Sequence, residues 1–236
     1  SEVFVGDALS AKAVYFNEKI FYMAVVNNGL LAYESENGKD WTAIIPAGMD
    51  IDLMKLNLNY LVATENYLYL HADGKLYKSD EGAVWSVLET SGADVEHLLF
   101  AMNNELYGVT KSNSIVKLSG SEWVDLGVLP SKFPIEGGAV LVAAAPSGKE
   151  RVFVVGGIDV EGNYLSSVWS SEDGAYWSEM TGGRQQFTPR AYYLAEKAIS
   201  CNDLIYMVMP TPQSITRTPN VKRGYDLLKI IGMLTD

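Results

Sequence analysis

The stretch Lys78-Ser-Asp-Glu-Gly82-Ala-Val-Trp85 decides the fold, because its pattern returns along the chain. The same Gly-x-x-Trp spacing, preceded by polar and acidic residues, occurs in Glu34-Ser-Glu-Asn-Gly38-Lys-Asp-Trp41 and in Ser170-Ser-Glu-Asp-Gly174-Ala-Tyr-Trp177. A degenerate fourth copy is Leu118-Ser-Gly120-Ser-Glu-Trp123. Self-similarity of this kind is the sequence signature of repeat architectures.

A second pattern precedes these copies: a polar turn followed by an apolar run that contains an aromatic residue. It occurs five times, at 17–23, 65–70, 104–109, 148–155 and 202–208, and no Gly-x-x-Trp follows the fifth. The chain between these landmarks has the apolar runs and the Asn, Gly, Asp and Ser clusters that are typical of short strands and turns. The best helical candidate, 94–102, is equally compatible with a strand.

Repeats of about 40–50 residues with about four strands each are typical of a β-propeller. Five copies of the aromatic pattern in 236 residues predict an all-β fold with five blades of four antiparallel strands in one domain. We expect units near 11–50, 55–92, 95–130, 138–182 and 190–236, with residues 2–5 and 227–233 pairing to close the ring. Two packed sandwiches are the alternative, but they do not explain why tryptophan returns in one local context.

At these residues the chain resembles the Asp-box (BNR) propellers, whose repeat reads Ser-x-Asp-x-Gly-x-Thr-Trp. Asp80, Gly82 and Trp85 match three of the four fixed positions, and glutamates replace the aspartate in the other two clear copies. The resemblance implies that the boxes build turns between outer strands, remote from the catalytic face. The residues assigned to these structural turns are Glu36, Gly38, Trp41, Asp80, Gly82, Trp85, Glu172, Gly174 and Trp177.

A second resemblance lies at Val152-Phe-Val-Val-Gly156-Gly157, followed by Tyr164 and Trp169, which looks like one kelch repeat. Thr188-Pro-Arg190-Ala is similar to the segment that opens a kelch blade. The combination is similar to secreted, galactose-oxidase-like propeller proteins of unknown function from gut anaerobes. This resemblance implies an extracytoplasmic location, periplasmic or at the cell surface or secreted, with a targeting signal that is not in this chain. It implies no reaction.

Composition excludes several classes of partner. A formal net charge of −11 and only five arginines without a basic run disfavour nucleic acid as a ligand. The longest apolar stretch, 139–145, is far shorter than the ~20 residues that a membrane-spanning helix needs. The single cysteine, Cys201, cannot form an internal disulfide.

The reactions best known from propellers lack their residues here. Sialidases clamp a carboxylate with three arginines drawn from several blades, but no arginine occurs before Arg151. Galactose oxidase needs a copper site of two histidines and two tyrosines, whereas the two histidines, His71 and His97, fall in different units. We interpret His71 as a strand-end histidine at a turn. The same shortage of histidine and cysteine disfavours zinc, so we predict neither metal nor cofactor.

These observations favour a non-catalytic binding or scaffold propeller, monomeric, that presents a glycan or a cell-surface protein. The candidate ligand-binding residues are Arg184, Arg190 and Tyr192, in a polar-aromatic segment, and Trp169. A structural arginine and core packing are the alternatives for Arg190 and Trp169. The alternative function is a glycan-active enzyme, similar to a glycoside hydrolase, with a carboxylate pair on the channel face. The sequence names no catalytic residue for it.

Overall fold

The computed structural model describes residues 10–26, 29–144, 149–182, 198–201, 204–210 and 225–230. These residues form nineteen β-strands and one 3₁₀ helix, Leu58–Tyr60, so the all-β prediction is confirmed. The segment that was compatible with a helix or a strand forms a strand, Val95–Met102. Its central residues, Leu98 to Phe100, are buried.

Four sheets each contain four consecutive strands in chain order, and every neighbouring pair is antiparallel. Blade 1 comprises β1 (Ser10–Phe16), β2 (Lys19–Val26), β3 (Gly29–Ser35) and β4 (Thr42–Ile44). Blade 2 comprises β5 (Leu61–Ala63), β6 (Leu68–Ala72), β7 (Lys75–Ser79) and β8 (Ser86–Leu88). Blade 3 comprises β9 (Val95–Met102), β10 (Glu105–Thr110), β11 (Ser114–Ser119) and β12 (Glu122–Val128), and blade 4 β13 (Ala139–Ala144), β14 (Glu150–Val155), β15 (Val168–Ser171) and β16 (Ser178–Glu179).

The prediction of five four-stranded blades closed by the two termini is wrong in its count, because the structure has four such blades. A three-stranded sheet follows them, made of β17 (Ala198–Cys201), β18 (Leu204–Pro210) and β19 (Tyr225–Ile230). The fifth copy of the aromatic pattern lies on β18, and no fourth strand joins this sheet within the described residues. Residues 2–5 lie outside the described ranges, and β19 pairs with β18. The aromatic pattern alone was therefore not a count of complete blades.

The chain order fixes which turns share a face of the propeller. The first strands of successive sheets contact one another, so they line the axis. In an antiparallel meander the turns after the first and the third strand lie at one end, and the turn after the second strand lies at the other. The turns 35–41, 79–85 and 171–177, here called the Gly-Trp turns, connect third to fourth strands and define the Gly-Trp face. The start of each first strand lies on the opposite face.

The hydrophobic core lies between the blades rather than inside any one of them. One cluster joins blades 1 and 2, a second joins blades 2 and 3, and a third joins blades 3 and 4. Phe21 of β2, for example, lies 6.5 Å from Trp85 of the next blade, measured between ring centroids. Because blades 2 and 3 each have a neighbouring blade on both faces, their strands are apolar on both sides, as the sequence predicts.

Candidate functional site

The Gly-Trp turns are held by their own hydrogen bonds. Ser79 Oγ accepts from the backbone N–H of Gly82 at 2.8 Å, and Ser35 and Ser171 make the same bond in the other two turns, at 2.9 and 2.8 Å. The indole N–H of Trp85 then donates to the Gly82 carbonyl at 2.8 Å. Polar groups that are already paired within a turn have little capacity left for a ligand.

Two of the three glycines in these turns, Gly82 and Gly174, also touch the preceding blade. A Cβ on Gly82, which has φ +81°, would lie 2.4 Å from Cε2 of Phe21, and one on Gly174 would lie 2.5 Å from Cε1 of Tyr107. At these two turns an aromatic residue of the second recurring pattern therefore packs onto the glycine of the first, one blade further on. The two sequence patterns are two halves of one inter-blade contact.

The acidic residues assigned to these turns by resemblance lie on the surface. Glu36, Asp80 and Glu172 are exposed. The Asp80 carbonyl accepts from Asn17 Nδ2 at 3.4 Å, and Glu172 forms an ion pair with Arg151. The serine six residues before each tryptophan makes the turn bond instead.

The opposite face carries a different set of side chains around the axis. Tyr60 ends the 3₁₀ helix just before the first strand of blade 2, and its ring lies edge-on to His71 of β6, with centroids 6.1 Å apart. Two groups hold this helix in place: Lys12 Nζ, which donates to the Asn59 carbonyl at 3.0 Å, and Ser10 Oγ, which accepts from an N–H of the helix.

Blade 3 and its connection to blade 4 supply the remaining polar groups. Glu96 and His97 lie at the start of β9, and Lys111 follows the end of β10, with its Nζ 3.7 Å from Glu96 Oε1. Glu136 lies in the segment that leads to β13. The set that we call the axial cluster comprises Tyr60, His71, Glu96, His97, Lys111 and Glu136.

Charge interactions connect the members of the axial cluster. Burial lowers the pKa of His71 and of His97, and the Glu96 carboxylate partly opposes this at both rings. Glu136 also acts on His97, and it supports burial in raising the pKa of Tyr60 to about 12. Both imidazoles are therefore neutral at pH 7 and the phenol is protonated. Perturbed groups gathered in one place are a recognised sign of a functional site.

Of the candidate ligand residues, the structure describes only Trp169. It is 7% exposed, donates from Nε1 to Ser167 Oγ at 3.2 Å and packs against Phe133 with ring centroids 5.7 Å apart. A tryptophan so enclosed stabilises the core between blades 3 and 4 and offers little surface for stacking on a sugar. Arg184, Arg190 and Tyr192 lie outside the described residues.

The comparison with known families now decides the identity of the fold. Residues 5–208 match the DUF6242 β-propeller domain. The chain belongs to this family. No curated protein matches the sequence.

Solved structures resemble this DUF6242 propeller in fold. A structure of YjhT has a TM-score of 0.60 and 14% identity, over 85% of this chain and 72% of that one. An α-L-arabinanase from Penicillium chrysogenum follows, with a TM-score of 0.45 and 13% identity over 87% and 76% of the two chains. A GH43 β-1,3-galactosidase has a TM-score of 0.43 and 10% identity over 88% and 83%. At 14% identity, the likeness to YjhT shows the fold alone.

The described part of this DUF6242 propeller lacks two kinds of feature. There, no group of three or more His, Cys, Asp or Glu side chains could hold a metal ion. No helix in the same ranges is long and apolar enough to cross a membrane.

Sequence reasoning missed the axial cluster because it compared residues between repeats. His71 and His97 occupy different units, as the sequence indicates, but one ends a second strand and the other begins a first strand. Those two positions lie on the same face in any antiparallel meander. The position of each strand within its blade could therefore have indicated that both histidines lie on the same face. Similarly, the presence of serine at 35, 79 and 171 in all three clear copies could have identified the turn acceptor.

Proposed function

We propose that this DUF6242 propeller is a binding module that holds a neutral glycan on the face opposite the Gly-Trp turns. One observation carries the proposal: the axial cluster gathers side chains from blades 2 and 3 and the following connection at the inner strands of that face. None of its six residues has a counterpart at the same place in every blade, so the repeat does not require them.

The chemistry of the axial cluster suits a ligand that is rich in hydroxyl groups. Carboxylates accept hydrogen bonds from hydroxyls, a neutral imidazole both donates and accepts, and the phenol of Tyr60 can do either. The Tyr60 and His71 rings add apolar edges of the kind that amphipathic binding sites use. Glu96 and Glu136 are balanced by Lys111 and by Lys12, whose Nζ lies on the Asn59 carbonyl beside Tyr60. The site therefore has no net charge at pH 7 and suits a neutral glycan.

A glycan-active enzyme is the second candidate, and Glu96 with Glu136 favours it. Both carboxylates raise the pKa of His97, and the two residues lie on the same face, at the start of β9 and in the segment that leads to β13. Glycoside hydrolysis needs two carboxyl groups, about 5–5.5 Å apart for retention or about 6.5–9.5 Å for inversion. Glu96 is ion-paired with Lys111, which supports a binding role for it over that of a protonated acid.

We also propose the repeat type, the location and the oligomeric state of this propeller. The Gly-Trp turns are of the Asp-box kind, and the segment around Gly156 and Gly157 is kelch-like. The protein acts outside the cytoplasm, as its resemblance to secreted propellers implies. It works as a monomer that presents its ligand to, or captures it from, a cell-surface partner.

A glycan array followed by titration of the best ligand tests the binding proposal. We expect neutral oligosaccharides to bind and their sialylated or uronate-bearing counterparts not to bind. Tyr60→Phe removes one hydroxyl from the cluster and should weaken binding about tenfold, since a buried partner is left unpaired. Tyr15→Phe is the matched control, because Tyr15 is 70% exposed and lies on the Gly-Trp face. Loss of binding in Tyr15→Phe alone would place the ligand on the Gly-Trp face and contradict the proposal.

Reducing-sugar release from the same oligosaccharide distinguishes the two candidates. The binding module releases nothing over long incubation. Release that disappears in both Glu96→Gln and Glu136→Gln would establish the hydrolase instead.

A further inference from the structure

A recess of about 760 Å³ opens on the Gly-Trp face, at the end of the axis away from the axial cluster. The turns from first to second strand of blades 1, 2 and 3 surround it, and Glu150 at the start of β14 contributes from blade 4. We call it the axial recess. Its volume lies within the range of about 300–1,000 Å³ that small-ligand sites occupy.

The axial recess has an apolar inner part and an acidic rim. The inner part comprises the ends of the first strands, with Phe16, Ala63, Ala101 and the 1%-exposed Met102. The polar lining residues are Tyr15, Asn17, Glu18, Thr64, Glu65, Asn103, Asn104 and Glu150. Three acidic residues therefore line one cavity, and no lysine or arginine occurs among the described residues that line it.

Hydrogen bonds between blades fix two of these carboxylates. Asn104 Oδ1 accepts from the backbone N–H of Glu65 at 2.8 Å, and Asn104 Nδ2 donates to Glu65 Oε2 at 3.2 Å. The backbone N–H of Asn103 donates to the Glu150 carboxylate. One bond leaves most of the acceptor capacity of a carboxylate free, because each has about four lone-pair sites. The rim is thus linked across blades 2, 3 and 4 by hydrogen bonds and can still accept hydrogen bonds from a ligand.

We propose that the axial recess binds an organic cation, an ammonium or guanidinium head on an apolar stem. The carboxylates of Glu18, Glu65 and Glu150 receive the charged head, and the apolar inner part takes the methylene groups. Lysine and arginine side chains have this amphipathic form, as do free alkyl diamines. The chain's net charge of −11 also raises the local concentration of cations.

This site is independent of the proposed glycan site, because the two lie at opposite ends of the axis and share no residue. A failure of one leaves the other untouched. Variants at the axial recess should not alter glycan binding, and variants of the axial cluster should not alter cation binding.

Isothermal titration with tetralysine, Nε-acetylated tetralysine and 1,5-diaminopentane tests the proposal. We expect tetralysine to bind, its acetylated form not to bind, and added salt to weaken binding by screening. Binding of the diamine as well identifies a small amine as sufficient, whereas binding of the peptide alone identifies a basic segment of a partner. Equal binding of the acetylated peptide would overturn the proposal.

A charge-matched pair of triple variants locates the bound cation. Glu18→Gln/Glu65→Gln/Glu150→Gln removes the three charges but keeps one acceptor oxygen on each side chain, and it should weaken tetralysine binding about tenfold. Glu36→Gln/Glu81→Gln/Glu122→Gln removes the same charge from exposed positions away from the recess, and should change it less than twofold. Equal effects of the two would show attraction to overall charge only. Glu18→Gln alone repeats the test in case the first triple variant does not fold.

Discussion

The two ends of the propeller axis are built from different kinds of residue. At the Gly-Trp face the same serine, glycine and tryptophan return in blades 1, 2 and 4, and asparagine builds the first turn of blades 1 and 3. At the opposite face the axial cluster takes a tyrosine and a histidine from blade 2, and a glutamate, a histidine and a lysine from blade 3. One end repeats its chemistry and the other does not.

This contrast separates residues that build the fold from residues that the fold carries. A turn that must be made in every blade needs the same hydrogen bonds each time, as the Ser79 and Gly82 pair shows. The axial cluster meets no such requirement, and its burial and charges instead shift the pKa values of three of its members. Function is therefore best sought among the unrepeated polar residues of the inner strands.

The largest difference in stability between the two faces is expected from a pair of glycine substitutions within blade 2. Gly82→Ala at the Gly-Trp face places a Cβ 2.4 Å from the buried Phe21 ring and should lower the free energy of unfolding by about 3 kcal/mol. Gly74→Ala at the opposite face meets no atom within 4 Å at a similar φ of +70° and should cost about 1 kcal/mol. Urea denaturation measures both. Equal losses would mean that the inter-blade contact of Gly82 contributes nothing.

A smaller effect is expected from the turn hydroxyl. Ser79→Ala leaves the buried N–H of Gly82 without its acceptor and should cost about 1–2 kcal/mol in urea denaturation. Ser121→Ala is the control, because Ser121 is exposed in the degenerate turn of blade 3, and it should change stability by less than about 0.5 kcal/mol. If Ser79→Ala left the free energy of unfolding unchanged, the Ser79 hydroxyl would not stabilise the turn.

The sequence predicted the repeat and the strands better than it predicted the sites. Gly82 and Trp85 are local signals, because a glycine at positive φ and an apolar anchor are needed wherever the turn forms. The blade count failed because the aromatic pattern needs only two strands, and the fifth copy lies in a sheet with three described strands. The axial cluster depends on residues that are up to 76 positions apart, Tyr60 and Glu136, which only the packing of the inner strands brings together.

The smallest predicted effect is a loss of stability in mild acid. The pKa values of His71 and His97 lie below the unfolded value of about 6.5, so the unfolded chain takes up protons first as the pH falls. Stability is full above about pH 6.5 and declines as the pH falls through the folded pKa values. Thermal unfolding between pH 7.5 and 5.5 should show this decline, and it should be shallower in His71→Gln/His97→Gln. An identical slope in that variant would contradict the burial of the two rings.

The chain's two histidines offer the most direct test of the ligand face, since both belong to the axial cluster. Their ring proton signals can be followed by NMR in the unmodified protein while the best neutral oligosaccharide from the array is added. If the axial cluster binds the glycan, both signals shift, to saturation, at the affinity measured by titration. Binding at that affinity with both histidine signals unchanged would contradict the proposal.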